Sequence, residues 1–188
     1  MSPDSPQHDV LRPPHPLALA LIDRLRDRPG ALILELGRGS ERNRSALEAA
    51  GFLVIDPGEG DDTPRCAGAI STHALLHGTS DGIAAGLRRI AVALEPGAPL
   101  YATFGSVRDA RYGRGEQIET HTFAPLSGDE TGVPHTFFDE RRLRSMLDGA
   151  WSVTSLEEHD VDAIAGPWAH ERAPLHQSVH WFAKLERR

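Results

Sequence analysis

The residues best placed to bind a ligand stand where short apolar runs of the sequence end. Glu35 ends one such run and is followed by Gly37 and Gly39, and Asp56 ends the next run along the chain. Glycines let the backbone approach a ligand closely, and the start of the following helix offers free N–H groups. A carboxylate there accepts hydrogen bonds from a hydroxyl or an ammonium group. The whole pattern is typical of the start of a nucleotide-cofactor site, whereas the two glycines taken alone predict no more than a tight turn between a strand and a helix.

Three histidines are candidates for acid–base chemistry. His73 and His77 follow an apolar run at 66–71, and His135 comes at the end of a long segment without clear periodicity. Ligands of open α/β sheets bind at the carboxyl ends of the strands, and an imidazole there can remove a proton from a hydroxyl or an ammonium group. We therefore predict His77 and His135 as general bases, ahead of His73. For each of them the alternative is a hydrogen bond within its own turn.

The spacing of His73 and His77 also fits a metal-binding pair. An i, i+4 pair can present two imidazoles on one helix face, but the sequence HALLH lacks the glutamate of the zinc-protease motif. No third ligand is marked by its spacing. We therefore expect no metal site.

The composition narrows the class of protein. The chain has 188 residues, of which 39% are hydrophobic, and this is enough for one domain with a core that needs no disulfide. A net charge of −7 without a block of Lys or Arg predicts no nucleic-acid partner. The single cysteine, Cys66, has apolar neighbours and is expected to be a small buried residue. No apolar run is long enough to span a membrane and no signal-peptide pattern is present, so we expect a cytoplasmic protein without a membrane partner. The oligomeric state stays open.

The elements that would position these residues follow from hydrophobic periodicity. Residues 1–16 are polar and rich in proline, which predicts a flexible N-terminal arm or a strap, and residues 17–188 are expected to form one domain. The segment 105–134 is predicted to be a long irregular loop. The order of the elements indicates an α/β sheet, parallel at first and mixed at the end. Strands are predicted at 31–36, 52–55, 66–71, 99–104, 151–156 and 179–185, and helices at 17–25, 42–50, 81–94 and 138–147.

Longer stretches of the sequence resemble a known family. The segments ELGRGSERN, AISTHALLHG and GLRRIAVALEPGAPLYATFGS are similar to motifs of the class I S-adenosylmethionine-dependent methyltransferases. The segments RDARYGRGEQIETHTF and GVPHTFFDERRLRSML resemble the small-molecule methyltransferases related to the tellurite-resistance group. The resemblance implies a Rossmann-like methyltransferase fold, with a mostly parallel central sheet and an antiparallel C-terminal strand.

The resemblance also implies a function and a set of site residues. The function is methyl transfer from S-adenosylmethionine to an oxygen or nitrogen nucleophile of a small-molecule acceptor. Glu35 and the glycines would hold the amino-acid end of the cofactor, and Asp56 the ribose hydroxyls. Arg111 and Tyr112 would bind the substrate. The full set of expected cofactor-binding residues is Glu35, Gly37, Gly39, Asn43, Asp56, Ser71, Thr72 and His73.

Two departures from the family pattern favour an alternative function. Glu41 stands where a third small residue is expected, and only residues 57–65 separate Asp56 from Cys66. Nine residues are too few for the helix and strand that the family places there, so the fold is expected to be shortened by a helix–strand unit after the second strand. The alternative is a degenerate methyltransferase-like fold that serves as a binding or interaction module, or that catalyses another reaction. A dinucleotide-binding oxidoreductase is disfavoured by the later motifs.

Overall fold

The computed structural model of the chain describes residues 13–37, 41–57, 64–128, 130–161 and 178–188. Gly39 and residues 1–12 of the predicted arm lie outside the described residues. The first helix begins at Pro16, and the side chain of His15 caps it by accepting a hydrogen bond from the backbone N–H of Leu17. The flexible arm and the single domain stay predictions.

Four parallel strands form the first half of the sheet. They pair in the spatial order β2-β1-β3-β4. Ile33 of β1 lies between Val54 of β2 and Gly68 of β3. Short apolar runs without alternation are typical of parallel strands that are covered on both faces, which explains why the sequence located them. The strands are β1 (Leu32–Glu35), β2 (Leu53–Ile55), β3 (Gly68–Ser71) and β4 (Pro99–Ser106).

The C-terminal part of the sheet reverses direction. Strand β9 (Val179–Arg187) runs antiparallel to β4, and β8 (Trp151–Asp160) runs antiparallel to β9. The mostly parallel sheet with an antiparallel C-terminal strand is therefore confirmed. Between β2 and β3 the described residues 56–57 and 64–67 contain no helix and no strand, as expected for a fold that is shortened there.

Helices cover both faces of this sheet. Adjacent residues of one strand, such as Ile33 and Leu34, belong to different core clusters because successive side chains point to opposite faces. Leu21 of α1 and Leu47 of α2 pack with Ile33, while residues of α3 and α4 pack with Leu34 on the other face. Cys66 is buried, as predicted. None of the described helices is long and apolar enough to cross a membrane. The helices are α1 (Pro16–Arg24), α2 (Glu41–Ala49), α3 (Ser80–Ala93) and α4 (Glu140–Leu147).

The prediction of an irregular loop over 105–134 was wrong. The segment contains β5 (Glu116–Glu119) and β6 (Thr122–Ala124), which form an antiparallel hairpin. Strand β6 also pairs with β7 (His135–Phe138), which in turn runs parallel to the end of β4. The predicted helix start at 138 was also wrong, because the chain is still extended there and α4 begins at Glu140. Most of β5 is exposed and polar, so neither an apolar run nor clear alternation marked it in the sequence.

Candidate functional site

Glu35 and Asp56 lie together at the carboxyl edge of the parallel sheet, as predicted. Glu35 is the last residue of β1, and Asp56 comes directly after the neighbouring strand β2. Arg44 of α2 lies between them: its Nε is 3.4 Å from Oε2 of Glu35, and its Nη2 is 3.0 Å from Oδ1 of Asp56. Arg44 also donates a hydrogen bond to the backbone carbonyl of Val54. One guanidinium therefore holds both acids, and Arg44, which directly follows the segment ELGRGSERN, was not predicted to have this role.

The environment of Glu35 changes its protonation. Its side chain is almost buried, and burial raises its pKa from 4.5 to about 7. The Arg44 guanidinium opposes this rise, whereas the negative charge of Asp56 adds to it. Near neutral pH both the neutral and the ionised form of the Glu35 carboxyl group are therefore populated.

Gly37 permits a close contact between two loops. Its φ of +91° is one that residues with a side chain rarely adopt, and a Cβ added there would lie 3.1 Å from Cβ of Ala74. Ala74 belongs to a short 3₁₀ turn, Ala74–Leu76, that follows β3. The missing side chain of Gly37 therefore makes room for the turn after β3, and the approach of a ligand to this glycine stays a prediction.

Asn43 and Thr72 connect α1 to this turn. The side-chain amide of Asn43 donates to the hydroxyl oxygen of Thr72 at 3.0 Å, and its carbonyl oxygen accepts from the backbone N–H of His15 at 2.9 Å. The backbone carbonyl of Thr72 accepts a hydrogen bond from the hydroxyl of Thr103. The hydroxyl oxygen of Ser71 is fully buried and has no hydrogen-bond partner among the described residues. Ser71 therefore has an unused donor and acceptor beside the predicted site.

His73 remains a neutral imidazole near physiological pH. Burial lowers its pKa from 6.5 to about 3, and the positive charges of His77 and Arg111 act in the same direction. Its ring stacks with that of His77 at 6.5 Å and meets the ring of His180 edge-on at 5.9 Å. An imidazole with so low a pKa is a poor general base.

His77 and His135 are brought together around a third residue. Their ring centroids are 4.7 Å apart. Glu130 lies against both: its Oε1 is 3.2 Å from Nε2 of His77, and its Oε2 is 3.0 Å from Nε2 of His135. These hydrogen bonds, first that of His135 and then that of His77, hold the pKa of Glu130 well below its ordinary value. Glu130 was not predicted from the sequence, because its separation from the two histidines follows no motif.

Arg111 and Tyr112, the predicted substrate residues, are held by side chains of the protein. Arg111 donates through Nε to Oδ1 of Asp109 at 2.9 Å, and its Nη2 lies 3.0 Å from Nε2 of His180. The hydroxyl of Tyr112 lies 2.7 Å from Nδ1 of His121. A role for Arg111 and Tyr112 in substrate binding stays a prediction.

Comparison with solved structures identifies the fold. A SAM-dependent methyltransferase from Methanosarcina mazei superposes with a TM-score of 0.66 at 14% identity, over 88% of this chain and 96% of that one. The 1,6-didemethyltoxoflavin-N1-methyltransferase of Burkholderia thailandensis, solved with S-adenosylhomocysteine, gives a TM-score of 0.63 at 18% identity, over 93% of this chain and 77% of that one. The fold is that of the SAM-dependent methyltransferases.

Proteins with this fold act on different kinds of acceptor. A 16S rRNA (adenine(1408)-N(1))-methyltransferase from Catenulisporales acidiphilia shares the fold, with a TM-score of 0.53 at 13% identity, over 88% of this chain and 91% of that one. The same fold therefore occurs in a protein that acts on RNA, and it does not support the predicted exclusion of a nucleic-acid partner. No protein-family model and no curated protein matches the chain. The predicted relation to the tellurite-resistance group has no support among these structures.

Proposed function

We propose that this protein transfers a methyl group from S-adenosylmethionine to an oxygen or nitrogen atom of a small molecule. One observation carries the proposal. On a methyltransferase fold, Glu35 and Asp56 end two adjacent parallel strands beside Gly37, at the sheet edge where ligands of open α/β sheets bind.

The residues present fit such a cofactor. The side chain of Asp56 is 35% exposed, so it can accept hydrogen bonds from ribose hydroxyls while it stays paired with Arg44. Glu35 can accept a hydrogen bond from the ammonium group of the cofactor, and this contact would favour its ionised form. The unpartnered hydroxyl of Ser71 offers a further polar contact at the end of β3. S-adenosylmethionine supplies an activated methyl group, and the protein's part is to align the acceptor and exclude water.

The histidine cluster supplies the proton transfer that the acceptor needs. A hydroxyl or an ammonium group must lose a proton when it is methylated, and an imidazole of suitable pKa can take it. The side chain of His77 is 36% exposed and can reach an acceptor, whereas that of His135 is buried. We assign proton removal to His77, with His135 as the second candidate base. Glu130 beside both rings stabilises the imidazolium that forms.

The choice of a small acceptor rests on charge. The chain carries a net charge of −7 and has no block of basic residues that would attract a polyanion. Because one protein of this fold is an rRNA methyltransferase, the fold gives no help with this choice.

A second candidate function is favoured by Arg44. Its guanidinium contacts both Glu35 and Asp56, the two acids that the cofactor would use. If these ion pairs withdraw the acids from the cofactor, the fold serves as a binding or interaction module, or catalyses a reaction other than methylation.

Calorimetric titration with S-adenosylmethionine and S-adenosylhomocysteine tests the proposal. We expect saturable binding that Asp56→Asn weakens by about tenfold or more, because a hydrogen bond to a charged group is lost. Asp27→Asn is the control, since Asp27 is an exposed acid and its side chain is 92% accessible. If neither compound binds, the proposal is refuted.

Substituting Arg44 by methionine separates the two candidate functions. If Arg44 positions the acids for the cofactor, Arg44→Met weakens binding of S-adenosylhomocysteine. If Arg44 withdraws them, the same variant binds more tightly than the natural chain, and the second candidate is favoured.

A further inference from the structure

We propose that His77, Glu130 and His135 form a binding site for a divalent transition metal of the zinc type. The inference goes beyond the proposed function, and metal binding can be measured without S-adenosylmethionine. An ion held by Nε2 of His77 and Nε2 of His135 would occupy the nitrogens that act as bases in the proposed function, so these two roles exclude each other in the metal-bound chain. The inference replaces the expectation of no metal site, which rested on the spacing of His73 and His77.

The three ligand atoms already have nearly the spacing that a metal requires. One atom from each of the three residues lies within 4.8 Å of the others. Nε2 of His77 lies 3.2 Å from Oε1 of Glu130 and Nε2 of His135 lies 3.0 Å from Oε2, so each imidazole contacts a different oxygen of the carboxylate. In a tetrahedral zinc site with bonds of about 2.0–2.1 Å, neighbouring ligand atoms are about 3.4 Å apart. Small side-chain movements would therefore complete the coordination of an ion held by two imidazoles and one carboxylate.

The hydrogen bonds of His135 require a positive centre next to Glu130. Nδ1 of His135 lies 2.8 Å from the carbonyl oxygen of Val133, which can only accept, so Nδ1 carries the hydrogen. A neutral ring then directs the lone pair of Nε2 at the carboxylate of Glu130, 3.0 Å away. Two electron-rich atoms at this distance repel each other unless a proton or a metal ion lies between them. A backbone carbonyl that fixes the tautomer in this way is the usual support of a metal-ligating histidine.

The backbone holds the two histidines in place. His77 and His135 pair with each other through an isolated antiparallel bridge. The N–H of Gly78 donates to the carbonyl of Pro134 at 2.7 Å, and the hydroxyl of Thr136 donates to the carbonyl of Gly78 at 2.7 Å. Rigid support lowers the entropic cost of bringing ligands together, so a metal would find two of its ligands already ordered.

The chemistry and exposure of the ligands indicate the class of metal. Imidazole nitrogens suit zinc and similar transition metals, whereas calcium and magnesium prefer oxygen ligands. His77 and Glu130 are 36% and 37% exposed in their side chains, while His135 is buried. One side of the cluster thus faces solvent, where a water molecule or another small ligand would take the fourth position.

Metal titration of the full chain tests this proposal. After treatment with a chelator, the protein is titrated with Zn²⁺ by calorimetry, and binding of Co²⁺ is followed through the visible absorption of the tetrahedral ion. We expect one ion per chain. Both His77→Gln and Glu130→Gln are expected to weaken Zn²⁺ binding by at least about tenfold. These two side chains are partly exposed, so the variants are expected to fold, which far-ultraviolet circular dichroism checks.

A histidine–glutamate pair elsewhere on the chain provides the matched control. Nε2 of His159 lies 3.2 Å from Oε2 of Glu157, a distance like those in the cluster, but the described residues bring no third ligand to this pair. His159→Gln should leave Zn²⁺ binding unchanged. The proposal is overturned if Zn²⁺ does not bind in a saturable way, or if the two cluster variants bind it as well as the natural chain. If Zn²⁺ does not bind in a saturable way, a proton and not a metal ion lies between His135 and Glu130.

Discussion

Replacing Glu35 by glutamine is expected to change how the stability of the fold depends on pH. Glu35 is 7% exposed, and burial raises its pKa from 4.5 to about 7. Between these two values the folded protein keeps a proton that the unfolded chain has released. The stability from this proton is fully present below the unfolded pKa of 4.5 and is lost as the pH rises through about 7.

The size of the effect follows from the two pKa values. Each pH unit between them changes the free energy of unfolding by about 1.4 kcal/mol. From pH 5 to pH 8 the free energy of unfolding falls by about 2.5 kcal/mol. The full slope does not apply near pH 5, where the carboxyl group of the unfolded chain is only partly ionised, or above pH 7, where that of the folded protein has also lost most of its protons. Glu35→Gln has no carboxyl group to titrate, so its stability should lack this fall. Relative to the natural chain, the variant should therefore gain about 2.5 kcal/mol between the two pH values.

Urea unfolding at several pH values from about 5 to 8 measures this difference. Glu140→Gln is the control, because Glu140 is also a glutamate paired with an arginine, Arg144, but its side chain is 56% exposed. Its free energy of unfolding should differ from that of the natural chain by a constant amount over this range. If the free energy of unfolding of Glu35→Gln also differs from that of the natural chain by a constant amount over this range, burial does not raise the pKa of Glu35. The description of the acid pair would then be wrong.

Two further substitutions test the contacts around the site. Gly37→Ala should cost about 1 kcal/mol more than Gly30→Ala in urea unfolding, because both glycines have positive φ but only Gly37 faces Ala74 at 3.1 Å, and equal costs would contradict that contact. Asn43→Ala removes two buried hydrogen bonds and should cost about 2–4 kcal/mol in the same assay. Thr72→Val removes one of these bonds and should cost about half as much, so an equal cost of the two variants would show that the bond to His15 contributes nothing.

The sequence predicted the parallel part of the sheet because its signal is local. Buried parallel strands are continuous apolar runs, and an acid that ends such a run must lie at the carboxyl edge, as Glu35 and Asp56 do. Strands β5 and β6 escaped prediction because their stability comes from pairing with each other and with β7, which no local pattern records. Strand β5 is also mostly exposed and polar, so its sequence resembles that of a loop.

The side chains that complete the candidate site could not be predicted for a similar reason. Arg44 and Glu130 reach their partners across separations in sequence that no motif fixes, and only the three-dimensional course of the chain brings them there. Glu35, Asp56 and Ser71 were predicted because each stands at or directly after the end of a strand, whereas Arg44 and Glu130 come from a helix and a loop. The contact of Gly37 with the turn after β3 could not be predicted either, because a glycine looks the same in the sequence whether a ligand or another loop needs the space.

The turn Ala74–Leu76 gives the two proposed sites a common mechanical element. On one side Ala74 packs against Gly37, next to the acids of β1 and β2. On the other side the turn leads into His77, which is tied to His135 by a backbone bridge. A ligand that binds at one of the two proposed sites and shifts this turn would also change the geometry of the other site. Thermodynamic linkage then requires reciprocity: whatever factor a metal applies to cofactor affinity, the cofactor applies to metal affinity.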